Sequence, residues 1–254
     1  MLYFFKLFFV ALLSLPASLI IILVFPFDPR GELAYKPSRL WCSAVLKIVG
    51  IRLTVRGLEQ ITPGRPYVFV ANHQSHLDIP LLAHALVGFQ LRWLAKKELA
   101  RIPIFGWALR AARNIIVDRS DPAKAAASLK KAREALAMGV SLVFFPEGTR
   151  SRSGELLPFR RGGFLLAAET GTTIVPITIK GSHLVLPRGD WRMRAGEVEV
   201  VLGRPIAVEK SGLEGVRALA ERARAAIEAE LRSLATASAE TAAQAWRAEF
   251  DDAP

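Results

Sequence analysis

Cysteine is almost missing from this 254-residue chain: Cys42 stands alone, which excludes an internal disulfide and fits a reducing compartment, where such a residue serves as a small apolar filler. No Gly-x-Ser-x-Gly stretch occurs, so the nucleophile elbow of a serine hydrolase is excluded. No recognition-helix, zinc-finger or RNP pattern gives this basic chain a nucleic-acid target, and no internal repeat is present. His73 and His76 lack the close two-histidine spacing usual in metal sites. Charge is also absent from Leu7 to Phe25, nineteen residues that as a helix reach about 28 Å, close to the roughly 30 Å hydrocarbon core of a bilayer. Lys6 is a thin basic start and no small-residue cleavage site follows before Phe27, which argues against a cleaved signal peptide. Pro16 divides the run, so a tilted or re-entrant helix stays open beside a simple span.

What charge there is sits unevenly. The net charge is +11; residues 1–35 sum to zero and residues 209–254 to −3, so residues 36–208 carry +14. That field calls for an anionic partner, for which lipid head groups, a phosphorylated substrate and an acidic acyl carrier all qualify. Pro37 to Gly50 reads as a helix with Leu40, Trp41, Ala44, Val45, Ile48 and Val49 on its apolar face and Lys36, Arg39 and Lys47 near the polar margin. This pattern suits an interfacial helix with Trp41 at head-group level, or else a core helix of the following domain.

Beyond it, strands and helices alternate. Ile51 to Arg56 alternates apolar and polar positions, Tyr67 to Val70 and Ser141 to Phe145 are continuous apolar runs, and Leu91–Ala95, Asn114–Val117, Thr173–Lys180 and Glu197–Leu202 also read as strands. Helices are expected over Ile79–Val87, Ile102–Ala112, Pro122–Met138, Gly162–Glu169 and Leu213–Leu234, with the alanine-rich remainder fraying. The order argues an α/β fold, a mixed sheet flanked by helices on both faces.

Asn72-His73-Gln74-Ser75-His76-Leu77-Asp78 lies at the turn between the apolar run ending at Val70 and the helix that follows. Helix positions i and i+5 lie roughly 140° apart, so His73 can meet Asp78 only from ahead of the helix. From there the Asp78 carboxylate can accept from one ring nitrogen and leave the other free to take a proton. Equally, Ser75 and Asp78 match a capping box, in which Asp78 merely serves backbone N–H groups; with Ser75 as N-cap, Pro80 would be the fifth helical residue and lack an N–H where one is wanted, which counts against that reading and moves the helix start to near Asp78. His76 reads as a surface or packing residue, and His84 and His183 lack a partner at catalytic spacing. The second turn, Pro146-Glu147-Gly148-Thr149-Arg150-Ser151, combines carboxylate, hydroxyl and guanidinium after a strand, which suits a polyol bearing an anion or a plain surface turn with a solvated ion pair. Lys96, Arg119, Arg150, Arg160 and Arg161 follow strands and together could cradle a phosphate.

In this order and separation, Asn72 to Asp78 and Phe145 to Ser151 closely resemble two signature blocks of the glycerolipid acyltransferases, and among them the bacterial 1-acyl-sn-glycerol-3-phosphate acyltransferase family. Asn114-Ile115-Ile116-Val117-Asp118-Arg119 resembles a third block, departing from it with Arg113 where glycine is common and Ile116 where an aromatic is common, and Ile174-Val175-Pro176-Ile177 resembles a fourth. The likeness spans roughly residues 50 to 205.

The resemblance implies an enzyme of phospholipid biosynthesis that moves an acyl chain from acyl-CoA or acyl-carrier protein to the sn-2 hydroxyl of lysophosphatidic acid, yielding phosphatidic acid, with no other cofactor and no metal. It implies His73 as general base oriented by Asp78, Glu147, Gly148 and Thr149 at the glycerol, Lys96, Arg119 and Arg150 at the phosphate, and Arg161 and Gly162 shaping the acceptor site. Block likeness leaves glycerol 3-phosphate or lyso-ornithine lipid open as acceptors, and a non-catalytic lipid-binding protein explains the anchor and charge but not the paired side chains. Residues 1–50 look like the family's membrane anchor, a pair of helices, ahead of an acyltransferase domain at 51–254. Basic residues after the apolar run favour a main body on the cytoplasmic face, here of the inner (plasma) membrane.

Overall fold

The structure, a computed structural model, describes residues 2–118, 121–208 and 212–251. Its centre is a seven-stranded sheet of β1 (Ile51–Arg56), β2 (Val68–Ala71), β3 (Leu91–Lys96), β4 (Ile115–Val117), β5 (Ser141–Phe144), β6 (Ile174–Lys180) and β7 (Gly196–Leu202), in the order β1-β7-β6-β2-β5-β3-β4. Every neighbouring pair runs parallel except β6 and β7, so the sheet is mixed. β2 and β5 are buried at every position, as continuous apolar runs in the middle of a parallel sheet must be.

The side-chain period of two sends neighbouring β2 residues to opposite layers. Phe69 and Ala71 join a cluster with Val45, Leu46 and Val49 of α2 (Glu32–Val49) and with Leu81, Leu82 and Ala85 of α3 (Asp78–Ala85). Val68 and Val70 join Leu136 of α5 (Pro122–Ala137), Leu166 of α6 (Gly162–Thr170) and Leu219 and Ile227 of α8 (Leu213–Asp251). Helices therefore cover both faces, and each fully buried leucine contributes about 1.5–3 kcal/mol. The α5 start follows its sequence signal: Pro122 opens the helix and the Asp121 carboxylate accepts from the Ala123 and Lys124 backbone N–H groups. In α8 the backbone stays helical to Asp251 instead of ending at Leu234, since no glycine or proline interrupts it after Gly215.

Ahead of the sheet, α1 (Leu2–Val24) runs unbroken through Pro16. It packs on α2, and it is held to the body at two separated points. Lys6 Nζ donates to the Val49 carbonyl at 2.7 Å, and Ile21 packs with Ala108 and Ala111 of α4 (Phe105–Ala111). α2 begins five residues before Pro37, because the Asp28 carboxylate accepts from the Glu32 and Ala34 N–H groups at 2.8 Å each and caps the helix there. The expected apolar face of α2 is also corrected. Cys42, Val45, Leu46 and Val49 are buried, Leu40 is 73% exposed, and the Trp41 indole N–H donates to Ser14 Oγ of α1 at 3.0 Å. The α1 neighbour takes the side that a lone amphipathic helix would turn to a bilayer. Arg113, at the position where the likeness led one to expect glycine, adopts φ +60. Its guanidinium lies 4.6 Å from the Phe25 ring centroid and donates to the Asp28 carbonyl at 3.1 Å, contacts that offset the strain and that glycine could not make.

The connection from β2 through α3 leads to β3 on one side, while that from β5 through α6 crosses to β6 on the other. Where two neighbouring strands send their chains to helices on opposite faces of the sheet, a crevice opens beyond their carboxyl ends. Both signature turns lie there.

Candidate active site

His73 leaves the end of β2 and turns back over the first turn of α3, so that its Nδ1 lies 2.7 Å from Asp78 Oδ2. The same oxygen accepts the Gln74 and Ser75 backbone N–H groups at 2.7 and 2.8 Å. Both sequence readings of Asp78 hold at once: it caps the turn and holds the imidazole. Asp78 is 0% exposed, and its Oδ1 is buried with no hydrogen-bond partner among the described residues. On the other side the His73 ring stacks on Phe145, with centroids 3.9 Å apart and planes 13° apart. Carboxylate and aromatic face together fix the ring with Nδ1 as the donor. His73 Nε2 then makes no hydrogen bond among the described residues, and the side chain keeps 17% of its surface exposed.

The second turn is fastened to the first. Ser151 N–H donates to the His73 carbonyl at 2.7 Å, and Glu147 Oε1 accepts the His73 N–H at 2.6 Å. Glu147 Oε2 accepts the Leu157 N–H at 2.9 Å, and the residue is only 3% exposed. Burial pushes the Glu147 carboxyl up to about 7, against the two backbone donors, which favour the charged form. The carboxylate expected at the glycerol hydroxyls is thus turned inward, with both oxygens engaged by the main chain. It holds the backbone of His73.

The other candidates are distributed as follows. Gly148 (φ +68) and Thr149 lie half-buried in the Glu147 turn. Arg150 follows them, with its Nη1 buried and unpartnered and its guanidinium lowered in pKa by burial and then by neighbouring Arg188. Lys96 is exposed at the carboxyl end of β3. Arg161 and Gly162 are exposed at the start of α6, and the next residue, Gly163, is packed so tightly that a Cβ would run into the Phe144 ring. Arg119 lies outside the described residues. Lys97, which the sequence reading passed over, pairs with Asp118 at 2.9 Å. Among the described residues His84 bonds only to Ser43, at 2.9 Å, near the surface.

Supporting residues were missed. Asn72 exchanges two hydrogen bonds with the main chain of Ile179, 2.8 and 2.7 Å, extending the β2–β6 pairing by a side chain. Buried Gln74 joins the Gly154 carbonyl (2.8 Å) to His183 Nδ1 (3.1 Å), and Ser75 Oγ donates to the Leu186 carbonyl at 2.9 Å. The available signal was the run of polar residues directly after a buried strand, whose side chains must find partners. The arrangement can accept a proton at one fixed nitrogen, in a turn fastened to the one whose Arg150 forms no ion pair among the described residues. Among the described residues no group of three or more His, Cys, Asp or Glu side chains could hold a metal ion.

The family model described as Acyltransferase matches residues 52–180. The chain is 35% identical over 214 residues to the 1-acyl-sn-glycerol-3-phosphate acyltransferase LPAT1, chloroplastic, of Arabidopsis thaliana, covering 80% of this chain and 59% of that protein. With the 1-acyl-sn-glycerol-3-phosphate acyltransferase of Pseudomonas aeruginosa it shares 36% identity over 189 residues, 73% of this chain and 70% of that one. The crystal structure of the 1-acyl-sn-glycerophosphate (LPA) acyltransferase PlsC from Thermotoga maritima matches with a TM-score of 0.76 at 25% identity, covering 92% of this chain and 94% of the other. The chain spans between half and about three fifths of the length of the chloroplastic and algal relatives it matches.

Proposed function

This chain belongs to the 1-acyl-sn-glycerol-3-phosphate acyltransferase family, and from that premise we propose that it transfers an acyl chain from a thioester, acyl-CoA or acyl-carrier protein, to the sn-2 hydroxyl of 1-acyl-sn-glycerol 3-phosphate, giving phosphatidic acid. The observation that carries the proposal is the His73 imidazole beyond the ends of β2 and β5, bonded through Nδ1 to Asp78 at 2.7 Å with Nε2 unengaged among the described residues. His73 Nε2 takes the hydroxyl proton as the oxygen attacks the thioester carbonyl, and Asp78 stabilises the resulting imidazolium. The tetrahedral intermediate collapses with a new C–O ester bond, the C–S bond breaks, and the thiolate receives the proton back from His73. Glu147 acts on this step from behind, by fixing the His73 main chain. Arg150, Lys96 and Arg119 hold the acceptor phosphate, with Gly148, Thr149, Arg161 and Gly162 bordering the acceptor.

Membrane contact is assigned to α1. An 18-residue stretch within Tyr3–Phe27 has a mean hydropathy of 2.8, and Phe4, Phe8, Leu12, Leu23 and Phe27 are among the segment's many exposed apolar side chains. Because α1 is held to the body near Lys6 and again near Ile21, it lies along that body and inserts into one leaflet, with the basic Lys36, Arg39 and Lys47 of α2 favouring the cytoplasmic face. The test is thiol release from acyl-CoA and acyl-carrier protein by full-length protein in vesicles, with and without lysophosphatidic acid. Release that needs acceptor and disappears in His73→Ala supports the proposal; acceptor-independent release, or normal transfer by His73→Ala, overturns it.

A further inference from the structure

Arg188 belongs to none of the sequence motifs. It lies between α7 (Ser182–Val185) and β7, and its Nη1 donates to the Arg150 carbonyl at 2.9 Å, which brings a second guanidinium to the phosphate side of the site. Neither arginine forms an ion pair among the described residues. The nearby carboxylates are committed elsewhere: Asp78 to His73, Asp190 to Arg192 and Arg194. Arg150 Nη1 is left buried and unpartnered, and Ser151, the next residue, is bonded through its N–H to the His73 carbonyl. The segment bearing Arg188 is itself braced by Asp190 N–H to the Pro187 carbonyl (3.2 Å), Arg194 N–H to the Val185 carbonyl (3.0 Å), and Trp191 stacked with His76 at 6.0 Å. Two like charges held together near a proton acceptor, with no ion-paired carboxylate among the described residues, make a site prepared for a doubly charged anion.

We propose that Arg188 and Arg150 together read the phosphomonoester of the acceptor, so that the connection between α7 and β7 selects a phosphomonoester lysolipid over a phosphodiester one. A phosphomonoester carries about −1.5 to −2 charge at neutral pH, as phosphorylated side chains do, with its second ionisation near pH 6; a phosphodiester has one charge and fewer free oxygens to share. The inference rests on the acyltransferase reading above. It is tested with wild type, Arg188→Gln and Arg188→Lys in mixed micelles, using lysophosphatidic acid, lysophosphatidylglycerol and glycerol 3-phosphate as acceptors.

Arg188→Gln is expected to raise KM for lysophosphatidic acid about tenfold, in line with a charge-assisted hydrogen bond, while kcat stays within about twofold. Its KM for lysophosphatidylglycerol should hardly move, and Arg188→Lys should fall between. Wild-type KM for the monoester should fall as pH rises through about 6, and this dependence should flatten in Arg188→Gln. Equal losses on both lysolipids, an unchanged monoester KM, or a fall in kcat alone would overturn the role of Arg188. If wild type acylates none of these acceptors, the reaction assigned above fails; equilibrium binding of lysophosphatidic acid to wild type and Arg188→Gln then still decides this proposal, since equal affinities refute it.

Discussion

Replacing Asp78 by asparagine separates the two duties of this carboxylate. Oδ2 serves three donors, the His73 ring and the Gln74 and Ser75 N–H groups, in a fully buried site. If the asparagine carbonyl takes that position, each bond drops from charge-assisted to neutral, about 1 kcal/mol apiece from the difference between roughly 1.5–3 and 0.5–1.5 kcal/mol. Its NH2 then occupies the place of Oδ1, which has no partner, and an unmet buried donor adds about 1–3 kcal/mol. The expected destabilisation is therefore roughly 5 kcal/mol, a large share of an ordinary folding free energy of about 5–15 kcal/mol. Turnover should fall further than folding explains. In that orientation the asparagine carbonyl still accepts from Nδ1, but the charge that supports the imidazolium is gone, and loss of the carboxylate costs on the order of 10⁴ in another His–Asp pair. Chemical denaturation in detergent measures the first effect, and thiol release well below the unfolding transition measures the second. A folded Asp78→Asn protein turning over within about tenfold of wild type would refute the orienting role. A stability change under about 1 kcal/mol would refute the three-donor count.

Glu147 predicts a pH signature. An unperturbed carboxyl ionises near 4.5, whereas in the folded protein burial pushes this one to about 7, so the folded state binds more protons between those values and loses stability as pH rises through them. At about 1.36 kcal/mol per unit the loss is of order 3 kcal/mol, and a Glu147→Gln variant, which cannot titrate, should lack it; parallel plots of melting temperature against pH would sink the idea. Gly163→Ala should destabilise by about 1–3 kcal/mol, since its Cβ meets the Phe144 ring, which is itself packed edge-on against Phe164 at 5.4 Å; an unaltered melting temperature would contradict that packing. Trp41→Phe removes the indole bond to Ser14 together with part of the ring's packing and should weaken the α1–α2 contact by at least about 0.5–1.5 kcal/mol, read as faster hydrogen exchange in α1 with turnover in micelles retained; unchanged exchange would remove the bond's role.

Much of the architecture was legible in advance because its signals are local. Alternation in Ile51–Arg56, unbroken apolar runs at β2 and β5, and the Asp121-Pro122 start of α5 each express a rule that a few neighbouring residues satisfy among themselves. The His73–Asp78 spacing was equally local, five residues about one turn, and so the pair could be expected together with its capping alternative. The sequence points Glu147 to the substrate because a carboxylate can accept from the hydroxyls of a polyol and because its turn resembles a family block. Its inward course depends on β2 lying beside β5, which brings residues 73 and 147 together across 74 positions of chain. Arg188 beside Arg150 and Trp41 against Ser14 are the same kind of contact, made by elements whose adjacency no short window records.

By itself, then, the order of residues determined the element types, the apolar first helix and the two signature turns, since periodicity and backbone chemistry act over a few residues. Tertiary structure alone decided which groups face the reacting atoms and which hold them in place. Buried polar atoms must find partners wherever folding puts them, and those partners come from distant parts of the chain.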